Sequence, residues 1–355
     1  MSLDDGMATW PSSTWTRFSA GPTLRLPHRL LSKRWGWCRK TPTWPEGACC
    51  SAQAREYVEA MRLLEQAQRE FGETGRTDCQ GDCSQSLGYC FLNIGMVDQA
   101  RDAFVTALTL SDEEDRWRAE VSLAAMAERT GDFDAADREL ARLEADGGLP
   151  DLARLYVQAN LADVATNRGW WNLSMERSLP VLEQALALGI RDQALERLLA
   201  IGHARLRQGQ LVEASLWLIR AHDAAAFVGD QARGTLVALY RATLAAVLGK
   251  HDQARTETVE ALAVATRHQL RRCEAYALVQ LARLALDRGD AQGSLDSATH
   301  AQTFCETYSY FTLGVQAQVV KARALLASDQ PERSLALLES LARDRRIEAL
   351  GDVRV

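Results

Sequence analysis

From about residue 54 onward, apolar positions recur in steps of three and four, and the stretches that carry them stop and restart at a glycine: Gly95, Gly131, Gly169, Gly209, Gly249 and Gly289. The spacings are 36, 38, 40, 40 and 40 residues. Five residues after each glycine stands a small residue (Ala100, Ala136, Ser174, Ala214, Ala254, Ser294), and the same slot continues at Ser334 and, backwards, at Ala60. Sets such as Ala100/Phe104/Ala107, Ala136/Leu140/Leu143 and Ala214/Leu218/Ala221 trace one stripe of a helix. Upstream of the glycines, pairs such as Leu87-Gly88, Leu123-Ala124, Leu161-Ala162, Ile201-Gly202 and Leu281-Ala282 set a large residue beside a small one, which lets a second helix approach closely. The pattern predicts antiparallel helix pairs whose turns open on a residue that tolerates the left-handed conformation. Asp132, Asp252 and Asp290, just after the turns, suit the N-terminus of each second helix. One such pair cannot bury its own apolar face, so the pairs must stack into an all-α solenoid of antiparallel helical hairpins.

The period breaks at both ends. Ala60, Leu64 and Ala67 mark a second helix at about 54–71, but the stretch where its partner belongs reads WCRKTPTWPEGACCSAQ. At the other end, Ser334, Leu338 and Leu341 close a seventh full unit, and Ile347–Val355 reads as the opening of another. The expected organisation is therefore an array over 51–355, seven full repeats with incomplete units at both ends, preceded by a distinct segment at 1–50. That segment holds five of the nine tryptophans, five of the eight prolines and seven basic residues without helical periodicity. It reads as disordered, as a misassigned start or as an added basic, aromatic arm.

Composition narrows the functional classes. Aromatic residues are 7% of the 355, and Leu and Ala dominate, as packed helices require. Beyond residue 50 the chain carries 34 basic and 44 acidic residues, which argues against a phosphate-binding surface and hence against nucleic acid as a partner of the repeat body. No run of about 18 apolar residues exists and the N-terminus lacks a signal-peptide pattern, so no membrane partner and a cytoplasmic address are expected. Thirty-seven arginines against four lysines suggest a GC-rich, bacterial coding sequence.

Candidate chemistry is sparse. The eight cysteines are scattered, with Cys79-x3-Cys83 and Cys90 the nearest approach to a metal pattern; free thiols and no metal are expected. No phosphate-binding loop, HExxH or GxSxG is present, so neither a catalytic residue nor a cofactor is expected, and the chain reads as non-enzymatic. His203 and His222 could meet across one hairpin. Asp112-Glu-Glu-Asp115 reads as the acidic first turn of a helix, and Asn172-Leu-Ser174 as helical despite its sequon form. In the third unit, Trp170-Trp171 follows the turn and Pro180 falls inside the second helix, where a kink costing about 3 kcal/mol is expected.

With small residues at the eighth and twentieth positions of each unit and a large one at the twenty-fourth, best seen from Leu87 to Ala107, the array resembles the tetratricopeptide repeats. Its unit of 40 rather than 34 residues is more similar to the long repeats of MalT-like bacterial regulators and related signalling ATPases. The resemblance implies a right-handed superhelix whose first helices line a concave groove. Carrying over the family's groove positions gives Tyr89, Asn93, Arg118, Tyr156, Asp163, Asn167, Glu196, His203, Arg207, Tyr276, Arg283 and Arg323 as partner-binding residues. Arg207, Arg283 and Arg323 would form a basic side able to grip carboxylates. The resemblance implies a protein- or peptide-binding scaffold or sensor region of a bacterial regulator. The alternatives are the helical portion of a signalling ATPase, kinase or protease, and a solenoid that senses a small molecule.

Overall fold

The computed structural model of the chain describes residues 57–351 except residue 114. The readings made for residues 1–50 lie outside the described residues. The described chain is a run of fifteen α-helices, and no strand occurs among the described residues. An initial helix, α1 (Tyr57–Glu73), packs on the first of seven hairpins. The hairpins are α2 (Thr77–Ile94) with α3 (Val97–Leu110), α4 (Trp117–Thr130) with α5 (Phe133–Glu144), α6 (Asp151–Arg168) with α7 (Trp171–Leu188), and α8 (Arg191–Arg207) with α9 (Leu211–Val228). They continue as α10 (Gln231–Val247) with α11 (His251–Arg267), α12 (Arg271–Asp287) with α13 (Ala291–Thr307), and α14 (Phe311–Ala327) with α15 (Pro331–Ala342).

The small-residue slots sit where two helices of a hairpin come closest. Ala100, Ala136, Ser174, Ala214, Ala254 and Ser294 have no exposed surface at all. Serine in that slot does more than save space: the Ser294 hydroxyl donates to the Ala282 carbonyl and the Ser334 hydroxyl to the Ala322 carbonyl, both at 2.8 Å. Each hydroxyl thereby meets a first-helix carbonyl that a buried alanine would leave to its helix partner alone. Asp132 and Asp290 cap α5 and α13 by accepting from the amides of Ala135 and Gly293. The left-handed turn register extends past the glycines. Asp329 holds it after α14, and a second register between hairpins runs through Gly189, Gly229, Gln269 and Ser309 at 40-residue spacing.

Helix α7 runs from Trp171 to Leu188 with Pro180 inside it. Two expectations are corrected. The acidic run 112–115 does not start a helix: the Asp112 carbonyl accepts from the amides of Asp115 and Arg116 in a turn, and α4 begins at Trp117. Residues 345–351 do not open another long helix. They form a 3-10 turn (Arg345–Ile347) and carry Leu350 into a core shared with α4, α5 and α6.

That last contact reveals the global shape. Hairpins stack in sequence, and α2 also meets α12 while α4 meets α14, so the superhelix comes round upon itself after five hairpins. Along this seam, Arg129 donates to the Tyr308 carbonyl at 3.2 Å and lies 4.1 Å over the Tyr310 ring. Phe133 meets Phe311 edge-on with ring centroids 6.2 Å apart, and Arg346 lies 4.3 Å over Phe311 while donating to the Thr130 carbonyl. Two turn glycines are required here twice over. Gly95 and Gly131 have φ near +87° and +88°, and a Cβ on them would come within 1.9 Å of Tyr308 and 2.5 Å of Phe311.

Candidate partner-binding lumen

Because the superhelix comes round upon itself, the inward faces of the first helices look at one another across a central lumen. Arg272, the second residue of α12, shows this most clearly. It is exposed to solvent, yet its charge is acted on by Tyr240 of α10, Glu196 of α8, Glu128 of α4 and Asp163 of α6. The surrounding protein displaces part of the bulk water near the guanidinium and so pulls its pKa down, and these four groups more than reverse the effect.

Around Arg272 lies a pole in which carboxylates and guanidiniums alternate. Arg197, with no exposed surface, donates to the Ala159 carbonyl and pairs with Asp163. Arg233 pairs with Glu196 at 2.6 Å and with Asp230. Burial pushes Glu196 up, but Arg233, Arg272 and Arg197 outweigh it and hold the carboxyl down at about 2. Glu128 is different. Burial raises it to about 7 despite Arg272 and a hydrogen bond with Asn167. Asp163 is raised as well, again by burial.

The other pole is aromatic and basic. His203 of α8 stacks on Tyr240 with ring centroids 4.5 Å apart and planes 8° from parallel. Trp171 and Tyr276 meet the same imidazole edge-on at 5.3 Å and 6.5 Å, and Tyr276 shares a 3.2 Å hydrogen bond with Thr243. Burial first, then Arg207, Arg272 and Arg283, depress His203 to about 3, so the imidazole is neutral across the physiological range. Arg207 lies 5.5 Å over Trp171, and Arg283 donates to Gln316 Oε1 at 2.9 Å. Burial lowers Arg283 to about 10, with Arg207 and Arg323 acting in the same direction against Tyr276 and Asp287. Buried nitrogens at this pole, His203 Nδ1, Trp171 Nε1 and Arg283 Nε, have no hydrogen-bond partner.

The expected groove residues fall into three groups. Asp163, Asn167, Glu196, His203, Arg207, Tyr276, Arg283 and Arg323 meet in this lumen. Tyr89, Arg118 and Tyr156 form a neighbouring patch: Tyr89 hydrogen-bonds Ser122 at 2.7 Å, Arg118 pairs with Asp115 at 3.1 Å, and Tyr156 lies against Trp117 with its ring tilted by 36° and donates to Asp192. Asn93 stands apart, its amide donating to the Tyr89 carbonyl of its own helix. His222 is exposed on α9 and does not join His203.

Several lumen residues escaped the transferred positions. Arg272 and Arg233 sit one turn before those positions, on the extra helix length that a 40-residue unit provides over a 34-residue one. Glu128 and Arg129 occupy the twelfth and thirteenth positions of their unit, slots that the transfer did include, so the register alone could have found them. Cys79, Cys83, Cys90, Cys273 and Cys305 are buried free thiols, and no group of three or more potential metal ligands occurs among the described residues. No helix among them is long and apolar enough to cross a membrane. A separate cavity of about 200 Å³ opens between α9, α10 and α11, lined by Leu218, Ile219, Leu248 and Lys250 among others, and takes in none of these lumen groups.

No protein-family model matches the sequence, and no curated protein matches it. Among solved structures, the chain is similar to a Rap protein complexed with Competence and Sporulation Factor, at TM-score 0.61 and 14% identity, covering 82% of this chain and 81% of that one. It is also similar to a STAND signal-transduction ATPase with a tetratricopeptide repeat sensor from Pyrococcus horikoshii, at TM-score 0.50 and 12% identity, covering 94% of this chain and 54% of that one. The helical hairpins, their slots and these structural likenesses together establish that the chain has a tetratricopeptide-like repeat fold.

Proposed function

We propose that the chain is a non-enzymatic binding scaffold that takes a short peptide segment of a partner into its lumen, as the sensor or scaffold region of a bacterial regulatory protein. The observation that carries this reading is the convergence of His203, Tyr240, Tyr276, Arg207 and Arg283 from three first helices onto one face. Aromatic faces and guanidinium forks are the groups that anchor peptides at interfaces, each combining apolar area with directed hydrogen bonds. The Rap protein with a similar fold was solved in complex with a factor, and the repeat region of the STAND ATPase is described as a sensor, which supports a recognition role for such an array. A STAND-type assembly in which this array regulates a separate nucleotide-binding domain is the second reading, favoured by the 94% of this chain that aligns with that protein.

Equilibrium dialysis of the full chain against a randomised pool of acetylated pentapeptides tests the proposal. Retained peptide should fall at least tenfold in a His203→Ala variant and stay unchanged in Val212→Asp, on the exposed outer face of α9. Equal retention by all three proteins would overturn the lumen as the binding site.

A further inference from the structure

Beyond α15 the chain turns back across the seam. Asp344 accepts from the Arg346 amide and pairs with the Arg346 guanidinium, so the 3-10 turn fixes the direction of that side chain. The guanidinium then bridges the seam by itself, lying 4.3 Å over Phe311 of α14 and donating to the Thr130 carbonyl of α4 at 3.2 Å. Four residues on, Leu350 is the one buried residue of 344–351. It enters a core to which Trp117 of α4, Phe133 of α5, Leu161 of α6 and Val315 of α14 also belong. The Gly351 amide ends the run by donating to the Arg168 carbonyl at 2.6 Å. The approach is so close that a Cβ on Gly351 would lie 2.4 Å from the Trp170 ring.

Thr130 and Arg168 are the last residues of α4 and α6. A carbonyl in that position has no further amide of its own helix to accept from, so water can take over when the donors of 344–351 leave. Lifting these residues therefore exposes one leucine side chain and two helix-end carbonyls. Parting a stack joint would instead expose wholly buried residues such as Ala214 and Leu218. Of the two openings, the first is the cheaper, and cheap local openings are the ones a folded chain samples. The contacts that would remain at the seam, among them Phe133 on Phe311 and Arg129 on Tyr310, are isolated aromatic and cation–π pairs.

We propose that residues 344–351 are a latch. Seated across the ends of α4 and α6, they hold the last hairpin to the second and third and keep the superhelix shut. Lifted off, they let the seam part while every hairpin stays folded.

Hydrogen exchange and small-angle X-ray scattering on the full chain test the latch. Arg346→Gln removes the charge that bridges the seam, and Leu350→Ala removes the buried anchor. Leu335→Asp, on the exposed face of α15, is the control and should match the parent chain. In each latch variant the amides of 127–132 and 314–318, on the two sides of the seam, should exchange at least tenfold faster, and the radius of gyration should rise. Amides of α8 and α9 should keep the parent's rates. Unchanged exchange at the seam, or faster exchange confined to 344–351 with scattering unchanged, would overturn the latch, because the ring would then stay shut without it. Faster exchange throughout α8 and α9 would overturn it as well, by making these residues part of the global fold.

Discussion

The stack of hairpins and the seam that closes them are built from different residues. Within the stack, contact is made by small residues set against aliphatic ones: Ala214 and Leu218 are wholly buried, and a Cβ on Gly202 would lie 3.0 Å from Leu218. Along the seam, Tyr308, Tyr310 and Phe311 meet Arg129, Phe133 and two left-handed glycines, with Arg346 and the Gly351 amide joining from beyond α15. The stack depends on close packing repeated at a fixed period, so each joint resembles the next. The seam is made once. It joins residues some 180 positions apart through cation–π contacts and hydrogen bonds to carbonyls, each worth little alone. The array therefore stands on its local joints, while the closing of the superhelix around its lumen depends on a thinner set of contacts.

Substitutions should separate the two. The largest effect is expected from Asp163→Ala, which leaves the fully buried Arg197 with only the Ala159 carbonyl; losing one partner of such a pair should cost about 3 kcal/mol in chemical denaturation. Ala214→Leu, inside a stack joint, should cost roughly 1–3 kcal/mol by overpacking. At the seam, Gly131→Ala faces both a left-handed backbone and the Phe311 ring, so about 1–2 kcal/mol is expected, accompanied by a larger radius of gyration in X-ray scattering. An equal expansion in Ala214→Leu would erase the distinction.

The smallest effect concerns pH. Glu128 titrates at about 7 in the folded chain, above its ordinary value near 4.5, so the folded state holds more protons than the unfolded state between those limits. Its contribution therefore favours folding below pH 4.5 and is lost as pH rises through 7. Thermal melts of Glu128→Gln should show a weaker fall in stability from pH 5 to 7 than the parent chain. Identical slopes would mean that Glu128 titrates normally.

Much of the stack was legible in the sequence because one hairpin's packing needs recur at a fixed period. The slots from Ala100 to Ser334 mark every second helix, and Gly95 through Gly289 mark the turns. The second turn register was not legible, since Gln269 and Ser309 continue in the left-handed conformation where Gly189 and Gly229 had announced it. The seam left no periodic trace, because Arg129 and Tyr308 are ordinary residues until the superhelix brings them together. For the lumen, transferred positions found His203, Arg207 and Arg283 but not Tyr240 or Arg272. Arg272 lies on helix length added to the 34-residue consensus, and Tyr240 falls between the consensus groove positions.

Without closure of the superhelix, the inward residues line an open groove rather than a lumen. Replacing Phe311 with p-azidophenylalanine and irradiating the full chain tests it directly. Intramolecular cross-links are expected from position 311 to peptides containing Gly131 and Phe133; cross-links confined to residues 270–351 would mean that the superhelix stays open.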